Sequence, residues 1–244
     1  MSPVYAQNNA HDNSITVFAA ASLRDVLTEV AKIYEKNMKQ RIHFSFAGSN
    51  VLAKQVVASD QADFYLSANQ QWMDYVQEHK RIVDGTRQTI ASNSLVIVAH
   101  TKSKVQLSKI EDLTQKDFRY FSMANPEAVP AGKYAKAYFE NQKIWQQLVP
   151  KIAPSTNVRA ALAMVESDPS VIGVVYKTDA ATSKKTKIIF EIPADQMPHI
   201  EYSAAQIKRK KGEIKHNHFL RFLSNPKAQK IFAAHGFQPI APSS

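Results

Sequence analysis

Short β-branched or aromatic runs alternate with amphipathic stretches from residue 15 almost to the end of the chain. Ile15 to Phe18 is the first such run; beyond Ala19-Ala20-Ala21 and Ser22, the positions Leu23, Val26, Leu27, Val30, Ala31 and Tyr34 recur at helical spacing. Ile42 to Ala47 alternates as a strand does, Gly48-Ser49-Asn50 breaks it, and Leu52, Val56 and Val57 open a second amphipathic helix. Asp63 to Ser67 supplies a third strand, and Trp72, Tyr75 and Val76 a short helix. Leu95 to Ala99 is apolar on both faces, as buried parallel strands are. This alternation predicts an α/β sheet.

The pattern then restarts, which predicts a second lobe. Arg119 to Met123 reads as a strand, Pro130-Ala131-Gly132 as a junction, and Tyr134, Ala135, Tyr138 and Phe139 as the apolar face of a helix. Asn157 precedes Val158, Ala161, Leu162 and Val165, a capped helix that Pro169 ends before the buried strand Val171 to Tyr176. Lys187 to Ile192 is a further strand, and Asn217 to Phe237 reads as two short helices parted by Pro226 and closed by Gly236. A length of 244 residues fits one large or two small domains.

Composition removes several function classes. The six glycines are spaced so that neither G-x-G-x-x-G nor G-x-x-x-x-G-K-[ST] occurs, so the dinucleotide and P-loop readings fall. With no cysteine there is no thiol nucleophile, disulfide or iron–sulfur cluster, and most structural zinc sites are gone as well. The eight histidines show no H-E-x-x-H spacing, and His216 with His218 reads as a solvated pair. G-x-S-x-G is absent, and Asp25, Glu29 and Glu35 read as the polar side of their helix, so nothing argues for catalysis. A net charge of +10 attracts anions of any size. The densest basic run, Lys208-Arg209-Lys210-Lys211 with Lys215, lacks interleaved aromatics and reads as a solvated turn around Gly212 rather than a nucleic-acid surface. No apolar run approaches the roughly 20 residues of a membrane span. Residues 1–14 are polar and aperiodic, and Val4-Tyr5-Ala6 before Gln7 suits signal-peptidase cleavage, so an exported protein whose leader is absent from this sequence fits, and so does a cytosolic protein with a frayed end.

Candidate chemistry collects at the strand-to-helix junctions. Ser22 with Asp25 fits a capping box, and the same helix start, with unpaired N–H groups and a positive dipole end, fits anion binding. Ser49 after Gly48 poses the same choice. Parallel-sheet proteins bind ligands beyond the carboxyl ends of their strands, where these two junctions would lie side by side and share one anion. Ala131 within Pro130-Ala131-Gly132 and Val158 after Asn157 give comparable junctions in the second half; taken singly, each is more simply a cap or turn. Tyr176 ends an apolar strand, its phenol either reaching a ligand or half-buried with its hydroxyl in water. Arg159 reads as a surface arginine in a first helical turn and is left out of the site.

The segments ITVFAAASL (15–23), FAGSNVLAKQV (46–56), ADFYLSANQQWMDY (62–75), NSLVIVA (93–99), NPEAVPAGKYAK (125–136), NVRAALAMVE (157–166), IGVVYKTDA (172–180) and HGFQPI (235–240) together resemble periplasmic molybdate-binding proteins. That resemblance implies a type II periplasmic-binding-protein fold: two Rossmann-like α/β lobes joined by crossover strands, closing over an oxyanion. The lobes are expected at 15–90 plus 203–244 and at 91–202, after an amino-terminal remnant 1–14. It further implies a periplasmic, non-enzymatic, monomeric protein that captures molybdate or tungstate for the membrane permease of an ABC importer. No cofactor, nucleic-acid partner or membrane insertion is implied, and the metal enters only as molybdenum inside the bound anion. By motif match, the hydroxyls of Ser22, Ser49 and Tyr176 and the backbone at Ala131 and Val158 would hold it. Two departures stand out: Gly48, where many relatives carry a hydroxyl residue, and Asn125, where aspartate is common. The first leaves the donor count and the ranking of anions open. The alternatives are another oxyanion such as sulfate, or an anion-sensing regulatory domain of the same fold.

Overall fold

The computed structural model describes residues 14–209 and 218–238. The amino-terminal remnant to residue 13, the stretch Lys210 to Asn217 of the basic run, and the end of HGFQPI lie outside the described residues.

The first half runs β1 (Ser14–Ala20), a short 3-10 helix (Ala21–Leu23), α1 (Arg24–Met38), β2 (Arg41–Ala47), α2 (Ser49–Ala58), β3 (Phe64–Ser67), α3 (Gln70–Glu78) and β4 (Gln88–Asn93). The second runs β5 (Leu95–His100), β6 (Tyr120–Ala124), α4 (Pro130–Asn141), α5 (Trp145–Leu148), β7 (Ile152–Ser155), α6 (Val158–Ser167), β8 (Val171–Tyr176), α7 (Lys177–Ala181) and β9 (Thr186–Glu191). The chain then returns through β10 (Ile200–Gln206) to α8 (His218–Leu223) and α9 (Pro226–Ala234).

Two five-stranded sheets result, ordered β2-β1-β3-β10-β4 and β7-β6-β8-β5-β9. In each, a parallel trio, β2-β1-β3 or β7-β6-β8, carries the strand-to-helix junctions. Antiparallel strands complete each sheet. The chain crosses between sheets at Ser94, where β4 runs almost straight on into β5, and again between β9 and β10. Pairing therefore stays in the first sheet through Asn93 and resumes there at Ile200, against lobe limits of 90/91 and 202/203 expected from the sequence.

One strand direction differs from expectation. Leu95 to Ala99 is antiparallel to both neighbours, β8 and β9. A doubly apolar run reports burial on both faces, and β5 has that because α6 and α7 pack against it. It says nothing of direction, which follows from the strand entering out of the other lobe.

Packing follows the periodicities. Val26, Leu27, Val30, Ala31 and Tyr34 form the buried stripe of α1, and β8 is buried along its whole length. The carboxyl-terminal helices close the first lobe: Phe219 of α8 sits edge-on to Tyr34 at 5.4 Å between centroids and against Phe64 at 5.3 Å. Such aromatic pairs stabilise beyond the area they bury, by about 0.5–1.5 kcal/mol each. Asn69, Asn157 and Asn225 cap α3, α6 and α9, each side chain accepting from the backbone N–H of the third residue of its helix.

Candidate functional site

Register brings the junctions together. Ala20 pairs with Ala47, so the 3-10 helix carrying Ser22 and the start of α2 carrying Ser49 leave the first sheet side by side. In the second lobe Ala124 pairs with Ser155, so β6 and β7 deliver the starts of α4 and α6 in the same way, and β8 beside β6 ends in Tyr176. The two sets face each other. Ser22, Ser49, Ala131, Val158 and Tyr176, all five positions singled out in the sequence, line one cavity between the lobes.

That cavity is about 10 Å³, on the scale of one small polar species rather than the roughly 300–1,000 Å³ of pockets that take larger organic ligands. Its other walls are Ala20, Ala21, Ala47, Gly48, Ala68, Val129, Pro130 and Asn157, so no ionisable acid or base lines it apart from the Tyr176 phenol. A larger cleft of about 750 Å³ lies at the edge of the first lobe, lined in part by Gln70, Gln77, Asp84, Arg87 and Lys208. There the polar groups are occupied with one another: Arg87 bonds Gln70 and Gln77, and Lys208 pairs with Asp84.

The donors of the small cavity are arranged by what stands behind them. Ser22 does not form the expected capping box: the cap position of α1 is Leu23, without a side-chain bond. Instead Ser22 Oγ accepts from the Tyr202 hydroxyl at 3.0 Å, and Tyr202 accepts from Asn93 Nδ2 at 3.2 Å. A serine hydroxyl has a single proton, so a group behind it that only donates leaves that proton for the cavity. Ser49 is set the same way, its Oγ accepting from the Ala68 N–H at 3.1 Å. Neither Tyr202 nor Asn93 was found by sequence reasoning. The pairing joins Ser22 to a residue 180 positions away, on a strand that no periodicity had marked.

Ala131 and Val158 contribute backbone. Val158 is the first residue of α6 and Ala131 the second of α4, after Pro130, which has no N–H to leave unpaired. Helix geometry gives these N–H groups no intrahelical acceptor. The Tyr176 hydroxyl is buried beside the Tyr202 phenol and makes no well-formed hydrogen bond, contrary to the reading that put it in water. Burial above all, with the Tyr202 phenol and the Asp179 carboxyl adding to it, raises the Tyr176 pKa well above its ordinary value. Tyr202 is raised as well, chiefly by burial. Both phenols are therefore neutral donors at any pH the fold meets.

Gly48 has a role the sequence did not disclose. A Cβ there would stand 2.8 Å from the Thr156 carbonyl, across the cleft, and 2.6 Å from Asn50 Oδ1. The missing side chain lets the lobes approach, rather than simply removing a hydroxyl from the site. Arg159 also departs from expectation: it is not a solvated surface residue but pairs with Asp25 of the other lobe at 2.5 Å and with buried Asp179 of its own. It stays outside the cavity lining.

Comparison with known proteins agrees with this architecture. The molybdate-binding protein ModA of Escherichia coli is 38% identical over 234 residues, covering 93% of this chain and 90% of its own length. The protein of the same name from Haemophilus influenzae is 37% identical over 227 residues, 91% and 89% of the two chains. Among solved structures, the periplasmic molybdate-binding protein of Azotobacter vinelandii superposes with a TM-score of 0.82 at 20% identity, over 94% of this chain and all of that one. Among the described residues no helix is long and apolar enough to cross a membrane. With the family profile matching residues 15–238, both lobes and both crossings included, the chain belongs to the bacterial extracellular solute-binding proteins.

Proposed function

We propose that this protein binds molybdate, and tungstate as its near equivalent, in the periplasm and delivers it to the membrane permease of an ABC importer without chemical turnover. The observation that carries the reading is the inter-lobe cavity lined without a charged side chain, with a buried Tyr176 hydroxyl that makes no well-formed hydrogen bond within the protein. In it the hydroxyls of Ser22, Ser49 and Tyr176 and the N–H groups of Ala131 and Val158 hold the four oxygens. The 37–38% identity to proteins named for molybdate supports the choice of anion.

The chemistry of the donors selects among anions. Molybdate and tungstate carry no proton at neutral pH, so they need donors and no acceptor. Phosphate keeps a proton there and calls for a carboxylate, which the lining lacks. Sulfate differs only in its shorter bonds, which leave donors on opposite lobes stretched. Hydrogen bonds to a charged group contribute about 1.5–3 kcal/mol each, so five of them reach the about 8 kcal/mol of a micromolar complex from near the low end of that range. With donors divided between lobes, only the closed arrangement satisfies the anion, and binding draws the population towards it.

Calorimetric titration with molybdate, tungstate, sulfate and phosphate tests the assignment. Molybdate and tungstate are expected to bind at micromolar concentration or tighter, sulfate and phosphate much more weakly. Ser22→Ala and Ser49→Ala are each expected to weaken molybdate by about 10- to 100-fold, the loss of one charge-assisted bond. Equal binding of all four anions by the unsubstituted protein overturns the proposal.

A further inference from the structure

Three of the segments that carry the proposed donors also carry one member each of an ion cluster. Asp25 lies one helical turn beyond Ser22, Arg159 directly follows Val158, and Asp179 lies one turn beyond Tyr176. Arg159 Nη2 donates to Asp25 Oδ2 at 2.5 Å, its Nε donates to Asp179 Oδ1, and its Nη1 donates to Thr182 Oγ1 at 3.1 Å. Asp25 belongs to the first lobe; the other three residues belong to the second.

The members are not equally separable. The Asp179 side chain is fully buried, that of Arg159 is 23% exposed and that of Asp25 42%. Separating a buried carboxylate from its arginine leaves an uncompensated charge in low dielectric, which is costly, whereas a half-exposed carboxylate can be rehydrated. Arg159 therefore stays with Asp179 when the lobes part, and the Asp25 contact is the one that opens. The planar guanidinium suits the task, since its fork of donors meets carboxylates from two directions where an ammonium would act as a point charge.

We propose that Arg159 is a positioning residue for anion binding: by bridging Asp25 and Asp179 it holds the Ser22, Val158 and Tyr176 segments in register and latches the closed lobes, slowing release of an anion it does not touch. The inference rests on the anion site proposed above. It assigns the Arg159–Asp25 contact to the closed arrangement alone, so loss of that contact acts on dissociation and on lobe separation, and not on the fold of either lobe.

The test uses the full chain. Because the sequence has no cysteine, Lys54→Cys on α2 and Ala163→Cys on α6, both exposed, accept a pair of spin labels, one per lobe. In Asp25→Asn, molybdate dissociation measured by stopped flow is expected to accelerate about fivefold, or about 1 kcal/mol, with association and melting temperature near those of the parent. The ligand-free inter-label distances are expected to lengthen. Adding Arg159→Gln to Asp25→Asn is expected to cost less than the two single effects combined, because both remove one contact. Dissociation and distances at parental values in Asp25→Asn overturn the latch, and so does a lowered melting temperature with unchanged dissociation, which marks a purely structural pair. Failure of the anion reading looks different: the parent does not bind molybdate, and the ligand-free distances alone then decide whether Asp25 holds the lobes together.

Discussion

At the scale of single residues, Tyr176 separates what serves the fold from what serves the ligand. A buried hydroxyl without a partner destabilises the protein that carries it, by about 1–3 kcal/mol when desolvation is complete. Tyr176→Phe is therefore expected to leave the ligand-free melting temperature unchanged or slightly raised, while molybdate affinity falls at least tenfold. Thermal unfolding and calorimetry on the same sample check both halves. Asp179 makes a second case. Burial raises its carboxyl to about 6, against the downward pull of Arg159, with Asp25 adding to the rise. An ordinary aspartate titrates near 4, so between about pH 4 and 6 the folded chain keeps a proton that the unfolded chain has released. More protons on the folded state means that stability from this group is complete below that window and is lost as pH rises through it. Asp179→Asn is expected to remove that component of the decline, which urea unfolding at about pH 4.5 and 6.5 measures in both proteins.

At the scale of elements, the site depends on how closely helix starts approach the sheet ends. Gly132, in the first turn of α4, is where that approach is tightest: a Cβ would fall 2.2 Å from the Ala124 carbonyl and 2.6 Å from that of Asn125, both backbone. Backbone at the end of β6 cannot swing aside as a flexible side chain can. Gly132→Ala is expected to lower stability by about 2–4 kcal/mol, in the range of overpacked or strained sites, and to lower the melting temperature with it. Gly48 shows the same steric logic between lobes instead of within one, which is why its effect was not legible from its own segment. The sequence marked Gly132 only as a junction residue, and Gly48 as a junction residue that forgoes a hydroxyl. What their missing side chains avoid is set by Thr156 and Ala124, which come close to them only in the folded chain.

For the molecule as a whole, local pattern and tertiary arrangement divide the information between them. Most elements of the parallel trios were legible, because helical and strand periodicities survive in a single segment and end at recognisable caps and glycines. The antiparallel strands β4 and β10 were not. Both sit where the chain passes between lobes, and their buried positions include the polar residues Ser92, Asn93, Ser203 and Gln206, so no apolar run or alternation marked them. The five proposed donors were legible because each occupies a junction whose chemistry is local: a serine, an N–H at a helix start, or the tyrosine that ends an apolar strand. Their supporting groups were not legible, since Tyr202 behind Ser22 and Asp25 opposite Arg159 are joined across 180 and 134 positions. The sequence by itself thus determined two α/β halves, through periodicity and capping residues, and marked junctions in each that only the family resemblance turned into expected anion donors. Only the tertiary structure decided that the junctions converge on one small cavity, which groups stand behind the two serine hydroxyls, and which ion pair spans the cleft. Those properties depend on distances between segments that share no neighbourhood along the chain, and no local pattern encodes them.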